Sequence, residues 1–153
     1  MTLLQSMSIS EGFPILGTRP HINNNPLDLM WGAEAKSFGA THGDRPGGPH
    51  SFDGFDGFAV FPDAVTGWRA AIRWLSVPAH FHKGPLPGFF LDPNGTTLVG
   101  GYLGATFAQA INRFAPPNEN NTEIYISSNI ARVPGLTRGT IITRELLQTP
   151  EAA

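Results

Sequence analysis

Residues 106–133 read TFAQAINRFAPPNENNTEIYISSNIARV, and this stretch decides the fold because it predicts two helices joined by a polar loop. The first helix begins after Thr106, a suitable N-cap, and extends to Phe114. Its apolar residues recur at steps of three and four, which places them on one face. The residues predicted to face inward are Phe107, Ala110, Ile111 and Phe114.

The loop that follows begins with Pro116-Pro117, which cannot continue a helix. Either Asn121 or Thr122 can cap the second helix, which ends before Pro134-Gly135. The residues of this helix predicted for the core are Ile124, Tyr125, Ile126, Ile130 and Val133. A polar loop held between two helices is the first candidate for a functional segment.

Residues 63–77 predict a third helix, with Asp63 as its N-cap and with Arg69 and Arg73 on a common polar face. Gly67 destabilises this helix by about 1 kcal/mol relative to alanine, so we expect a close packing contact there. The apolar face is predicted to consist of Val65, Trp68, Ala71, Ile72 and Leu75.

The remaining N-terminal half is irregular and rich in glycine and proline. A short helix is predicted at Leu3–Met7. Asn25 is placed to cap a helical turn at Leu27–Trp31, and a short strand is predicted at Phe58–Phe61. Residues 39–57 and 78–101 are predicted to form hairpins or long loops.

A last helix is predicted from Thr137 onwards, with Ile141, Ile142, Leu146 and Leu147 as its apolar residues. The whole chain, residues 1–153, is therefore predicted to be one mainly α domain with one short β-hairpin, and an α+β arrangement is the alternative. Residues 1–20 and 148–153 are candidate flexible tails.

The composition excludes several classes of function. The chain has 153 residues, a formal net charge of −2 and no cysteine. Without a basic stripe, binding to nucleic acid has little electrostatic support, and without cysteine there are no disulfides or zinc–thiolate sites. We see no apolar run long enough to span a membrane and no secretory signal. We therefore expect no membrane span and no signal peptide of its own.

Two polar runs are candidate sites. Glu119 lies in the loop Ala115–Thr122 and can act as a general acid if an apolar cleft raises its pKa. Alternatively, Glu119 and Asn121 only cap and bridge the two helices. The run Asn23-Asn24-Asn25 can hydrogen-bond a sugar or an amide, but such residues also form ordinary turns.

Four segments resemble a phage and prophage family: NNNP at 23–26, FGAT at 38–41, FAVFPDAVTGWRAAIRWL at 58–75 and INRFAPPNENNTEIYI at 111–126. Members of that family are described as virion-associated or cell-wall-degrading proteins. The resemblance covers roughly residues 22–133, and APPxENxT is its most specific part. The chain departs from the family at Leu27–Leu29, where members read Gly-Asn-Ile, and at Ile22, where they often have arginine.

This resemblance implies a small lysozyme-like domain that cleaves peptidoglycan glycan strands, either as a glycoside hydrolase or as a lytic transglycosylase. Glycoside cleavage needs an acid that protonates the leaving oxygen, and often a second carboxylate. Glu119 is the expected acid, with Glu34 and Asp44 as expected partners and Glu11 as a further candidate. The expected substrate-binding residues are Asn24, Asn25, Asn118, Asn120, Thr122 and Tyr125.

The same resemblance implies a location in the virion or at the bacterial cell wall or periplasm, with other virion subunits as further partners and no metal or cofactor. The main alternative is a non-enzymatic virion structural or assembly protein that uses the same loop for subunit contacts. A zinc peptidase is a weaker alternative, carried by His42, Asp44, His80 and His82. A last alternative assigns sugar stacking rather than core packing to Phe52, Phe55, Phe58 and Phe61.

Overall fold

The computed structural model describes residues 1–31, 33–43, 57–76, 102–118 and 120–153, and only the backbone of residues 33, 34, 42 and 43. The part of the chain described in this way is mainly helical, as predicted. Its elements are α1 (Leu3–Ser10), α2 (Arg19–Ile22), α3 (Ala33–Ser37), β1 (Thr41–Gly43), β2 (Phe58–Val60), α4 (Ala64–Ser76), α5 (Phe107–Phe114), α6 (Thr122–Arg132) and a 3-10 turn (Pro150–Ala152).

The chain divides into two compact units. The N-terminal unit comprises Met7–Ile72 and Thr149–Ala153, and the C-terminal unit comprises Met1–Ser6 and Arg73–Gln148. Within the described ranges, no helix is both long and apolar enough to cross a bilayer.

In the N-terminal unit, β2 pairs with β1 in antiparallel fashion, with Ala59 opposite His42. The backbone N–H of Ala59 donates to the carbonyl of Leu29 at 2.9 Å, so a second segment also bonds to β2. The predicted strand at Phe58–Phe61 is confirmed as β2. The expected hairpin over residues 39–57 ends in β1 and β2, whereas residues 44–56 lie outside the described residues.

The predicted helical turn at Leu27–Trp31 is wrong. The N–H of Asp28 donates to the carbonyl of Asn25 at 3.0 Å, which closes a tight turn instead of opening a helix. Asp28 has a φ of 51°, in the left-handed region, which a right-handed helix does not allow. A short helix, α2, instead precedes the asparagine run, and this helix was not predicted.

α4 confirms the predicted third helix. The carboxylate of Asp63 accepts the N–H of Thr66 at 2.7 Å, which is an N-cap bond, and this bond holds the pKa of Asp63 below its usual value. The positions predicted to be apolar and found buried are Trp68, Ala71 and Leu75. Val65 is exposed, so the predicted apolar face is not wholly buried.

Gly67 makes the close contact that its position in α4 predicted. A Cβ atom at this position would lie 1.9 Å from the carbonyl oxygen of Asn24 and 3.0 Å from Cδ of Pro26. The first of these neighbours is a backbone atom in a tight turn, which cannot move aside as a flexible side chain can. Gly67 therefore lets α4 pack directly against the asparagine run.

We expect Gly67→Ala to destabilise the chain by about 2 kcal/mol, because an overpacking cost of about 3 kcal/mol outweighs the gain of about 1 kcal/mol in helix propensity. Urea unfolding of the full chain measures this difference. Gly139→Ala is the matched control, since a Cβ atom there meets nothing within 4 Å. Equal stability of the Gly67→Ala and wild-type chains would show that this contact can relax.

In the C-terminal unit, α5 begins with the predicted N-cap. The side chain of Thr106 accepts the N–H of Gln109, and the Gln109 side chain accepts the N–H of Thr106, which forms a capping box. Phe107, Ala110 and Ile111 are buried as predicted, whereas Phe114 is partly exposed. The local sequence therefore determined this helix well.

The last helix, predicted from Thr137, does not form. The carbonyls of Thr140 and Arg138 accept the N–H groups of Phe107 and Ala108 at 2.7 and 3.0 Å, at the start of α5. These N–H groups have no partner within their own helix, so the segment gains more by satisfying them than by forming a helix itself. Ile142 and Leu147 are nevertheless buried, as predicted.

Both segments suggested as tails contain ordered contacts. Residues 1–20 include α1, in which Leu3 and Leu4 are fully buried. At the other end, the guanidinium of Arg69 donates to the carbonyl of Ala152 at 2.8 Å and to that of Ala153. Each end of the chain thus makes contacts within its own unit.

Candidate functional site

The loop between α5 and α6, residues 115–121, is tied together at its base. The hydroxyl of Thr122 donates to the carbonyl of Ala115 at 2.5 Å, which joins the two ends of the loop. The N–H of Asn120 donates to the carbonyl of Pro116 at 3.0 Å. Together with the fixed φ of the two prolines, these bonds limit the conformations of the loop.

The side chains that the loop presents to solvent are polar. Asn118 and Asn120 are exposed, one on each side of Glu119. Glu119 itself lies outside the described residues. Asn121 is the N-cap of α6, because its side chain accepts the N–H of Ile124 at 3.2 Å. Of the two candidate caps, Asn121 is therefore the one that the structure shows, and Asn118 and Asn120 are exposed amides of the loop.

Thr122 was expected to bind substrate, and the structure corrects this expectation. Its side chain is only 4% exposed, and its hydroxyl is committed to the Ala115 carbonyl. Thr122 therefore positions the loop rather than contacting a ligand. Ile124, which was expected in the core, is instead 60% exposed in the first turn of α6.

Tyr125 belongs to a chain of aromatic contacts beside this loop. Its ring centroid lies 6.0 Å from that of Phe114, which lies 6.0 Å from that of Trp74. The ring of Trp74 lies 5.6 Å from that of Tyr102. We call these four residues the aromatic row. Of these four residues, only Tyr125 was predicted from the sequence as a site residue. Phe114 is the last residue of α5, and Tyr125 is the fourth residue of α6.

Asn25 was also expected to bind substrate, but it is fully buried in the N-terminal unit. Its side-chain oxygen accepts the N–H of Leu29 at 2.8 Å, and its NH₂ group donates to the carbonyls of Leu29 and Ala59 at 2.9 and 3.0 Å. The amide thus joins the turn to β2. Asn25 has a structural role, because its amide oxygen and NH₂ group bond to backbone groups of Leu29 and Ala59.

Asn24 also has a structural role. Its NH₂ group donates to the carbonyl of Phe61 at 3.2 Å, and its own φ of 52° places it in the left-handed region. Asparagine adopts this conformation more readily than most residues. The interpretation of the asparagine run as a turn is therefore the one that the contacts support.

The side chain of Asp28 holds Arg19 against the ring of Phe58 in this unit. Its carboxylate accepts the guanidinium of Arg19 through both oxygens, and the guanidinium carbon lies 3.4 Å from the ring centroid of Phe58. Phe58 is therefore covered by a cation, and Phe61 is fully buried, so both belong to packing rather than to sugar stacking. Phe52 and Phe55 lie outside the described residues.

No side chain of the two expected partner carboxylates, Glu34 and Asp44, lies in the described part of the chain. Asp44 lies outside it, and Glu34 is described only as backbone in α3 of the N-terminal unit. Near the loop, Glu123 is exposed and pairs with Arg138 at 2.7 Å. Hydrogen bonding to Arg138 lowers the pKa of Glu123, so Glu123 is held as an anion and is unsuited to act as an acid.

The zinc-peptidase alternative depends on the side chains of His42, Asp44, His80 and His82, none of which lies in the described part of the chain. Among the residues whose side chains are described, no three His, Cys, Asp or Glu residues are grouped so as to hold a metal ion.

No family model, curated protein or solved structure matches the chain.

Proposed function

We propose that this chain is a phage-type, cell-wall-associated domain of small lysozyme-like form, which cleaves glycosidic bonds in peptidoglycan with Glu119 as the general acid. The observation that carries the proposal is the α5–α6 loop, whose base is tied by Thr122 and whose exposed amides, Asn118 and Asn120, flank Glu119. The APPxENxT pattern that resembles the phage family is this same loop.

The loop has the properties that a catalytic acid needs from its support. A general acid must be held within hydrogen-bond reach of the leaving oxygen, and a loop with few accessible conformations loses little entropy in holding it there. The bonds Thr122–Ala115 and Asn120–Pro116 restrict the chain on both sides of Glu119. The amides of Asn118 and Asn120 can donate to and accept from the hydroxyl and acetamido groups of a sugar.

Two reactions are compatible with one acid in this position. In both, Glu119 gives its proton to the glycosidic oxygen while the bond from that oxygen to the anomeric carbon breaks. In a hydrolase, water adds to the anomeric carbon and loses a proton to a carboxylate base. In a lytic transglycosylase, a hydroxyl of the same sugar attacks and leaves an anhydro ring, with Glu119 taking up the proton.

The proposed partner is the glycan strand of peptidoglycan, and the proposed location is a virion that delivers the domain to the cell wall. Purified full chain incubated with sacculi from about pH 4 to about pH 8 is expected to release soluble muropeptides, with a pH profile set by the acid. Heat-denatured chain is the control. No release at any pH would overturn the proposal.

A non-enzymatic virion subunit is the second candidate, and exposed apolar side chains favour it. In the C-terminal unit, Ile124 is 60% exposed and Ile141 is 49% exposed. Such residues are common at contacts between subunits when they form a patch. This candidate is supported if light scattering after size exclusion gives a stable oligomer and the sacculus assay gives no turnover.

A further inference from the structure

The aromatic row extends along one part of the C-terminal unit. Tyr102 is at its buried end, where burial raises the pKa of the phenol well above its usual value. Trp74, Phe114 and Tyr125 are each only partly buried. These three rings come from α4, α5 and α6, so regular helices fix their positions.

The rings of the row meet at steep angles. Phe114 meets Trp74 at an interplanar angle of 75° and meets Tyr125 at 61°, so neighbouring rings meet edge to face and do not stack on one another. Trp74, Phe114 and Tyr125 are nevertheless partly exposed residues, so part of each is accessible to solvent. The row therefore presents three partly accessible aromatic residues, and the centroids of neighbouring rings lie 6.0 Å apart.

Two further features indicate the chemistry of the ligand. Phe114 directly precedes the loop that exposes the amides of Asn118 and Asn120, and Tyr125 lies four residues after the loop ends. Aromatic surface beside a few placed amides is the usual composition of a site for a neutral, amphipathic ligand. Sugars have this character, since a pyranose ring has an apolar C–H face and a polar rim. The formal net charge of −2 and the lack of a basic stripe argue against a nucleic-acid strand.

We propose that Trp74, Phe114 and Tyr125 form a stacking surface for the pyranose rings of an N-acetylated glycan strand. Its rings pack against successive aromatic side chains while the loop amides hydrogen-bond its acetamido groups. The identity of the glycan rests on the proposed function, whereas the stacking itself does not require cleavage. Asn118 and Asn120 then contribute to orientation, and the aromatic row contributes most of the affinity.

The test measures binding without turnover. The Glu119→Gln chain is titrated calorimetrically with an N-acetylglucosamine oligomer, and the same titration is repeated after adding Phe114→Leu or Tyr125→Leu. Each leucine variant is expected to bind about tenfold more weakly, which corresponds to about 1.4 kcal/mol. Tyr125→Phe keeps the ring and is expected to bind like its parent. Ile124→Ala, which removes an exposed apolar side chain next to Tyr125, is the matched control and is expected to change nothing.

A second measurement does not depend on whether the variants fold. Saturation of the aromatic protons of the Glu119→Gln chain is expected to transfer to the C–H protons of the oligomer. If saturation reaches the oligomer only from non-aromatic protons of the protein, the aromatic row is not a glycan site. Absence of binding would overturn it as well. Unchanged affinity in folded leucine variants would do the same, even if the wild-type chain digests sacculi. Conversely, binding that depends on the row together with inert wild-type chain would retain the row and reject the hydrolase.

Discussion

The Glu119→Gln chain is expected to release muropeptides from sacculi at least about 100-fold more slowly than the wild-type chain, because a positioned general acid contributes about two to four orders of magnitude in rate. Glutamine is close to glutamic acid in size, so the loop has no steric reason to rearrange, but its amide is far too weak an acid to protonate the leaving oxygen. Initial rates on purified sacculi measure the effect.

The neighbouring carboxylate provides a matched control. Glu123 lies four residues further along, is exposed, and pairs with Arg138. Glu123→Gln removes a negative charge from the same unit without touching the proposed acid, so its rate is expected to stay close to that of the wild type. Equal loss of activity in both variants would point to a general effect of charge, and wild-type activity in Glu119→Gln would remove Glu119 from the mechanism.

Asn25→Ala is expected to lower the free energy of unfolding by about 3 kcal/mol or more. The substitution leaves the N–H of Leu29 and the carbonyl of Ala59 without the buried partner that the amide supplies, whereas the carbonyl of Leu29 keeps the N–H of Ala59. Each buried polar group left unsatisfied costs about 1–3 kcal/mol. Urea unfolding followed by circular dichroism measures the loss.

The comparison for this prediction is Asn23→Ala. The carbonyl of Asn23 accepts the N–H of Phe61 at 2.9 Å, and this backbone bond survives replacement of the side chain. Asn23→Ala is therefore expected to unfold within about 0.5 kcal/mol of the wild type. If Asn25→Ala were as stable as wild type yet impaired in glycan binding, the original assignment of Asn25 to the substrate site would be restored.

The helices α4, α5 and α6 could be predicted because their signals are local. Asp63, Thr106 and Asn121 each cap the helix that follows. Residue type and position identified Asp63 and Thr106, and they gave Asn121 as one of two candidates. The close contact at Gly67 was also inferred correctly, since a glycine inside an otherwise regular amphipathic helix needs a packing reason.

The two incorrect helices share one cause, which is pairing between distant parts of the chain. Residues 27–31 have a helix-like pattern, but Leu29 bonds with Ala59 in β2. Residues 137–147 also have apolar residues at suitable steps, yet the Thr140 carbonyl caps α5. The spacing of apolar residues in a short stretch of sequence does not show that a hydrogen-bond partner lies some 30 residues away.

The candidate site was predicted only in part for a related reason. The loop and its flanking helices were identified, and Asn118 and Asn120 are exposed there. Asn25 and Thr122 were assigned to the substrate on residue type, although burial commits both to backbone groups. Trp74 was not assigned at all, because only the packing of α4 brings its ring to Phe114.

The most direct test of the proposed function is mass spectrometry of the soluble products that the wild-type and Glu119→Gln chains release from sacculi. The wild-type chain is expected to give disaccharide muropeptides with intact stem peptides, ending in either a reducing or an anhydro sugar, and the variant is expected to give almost none. Reducing ends would identify a hydrolase, and anhydro ends a lytic transglycosylase. Free stem peptides with uncut glycan, or no products from the wild-type chain, would contradict the proposal.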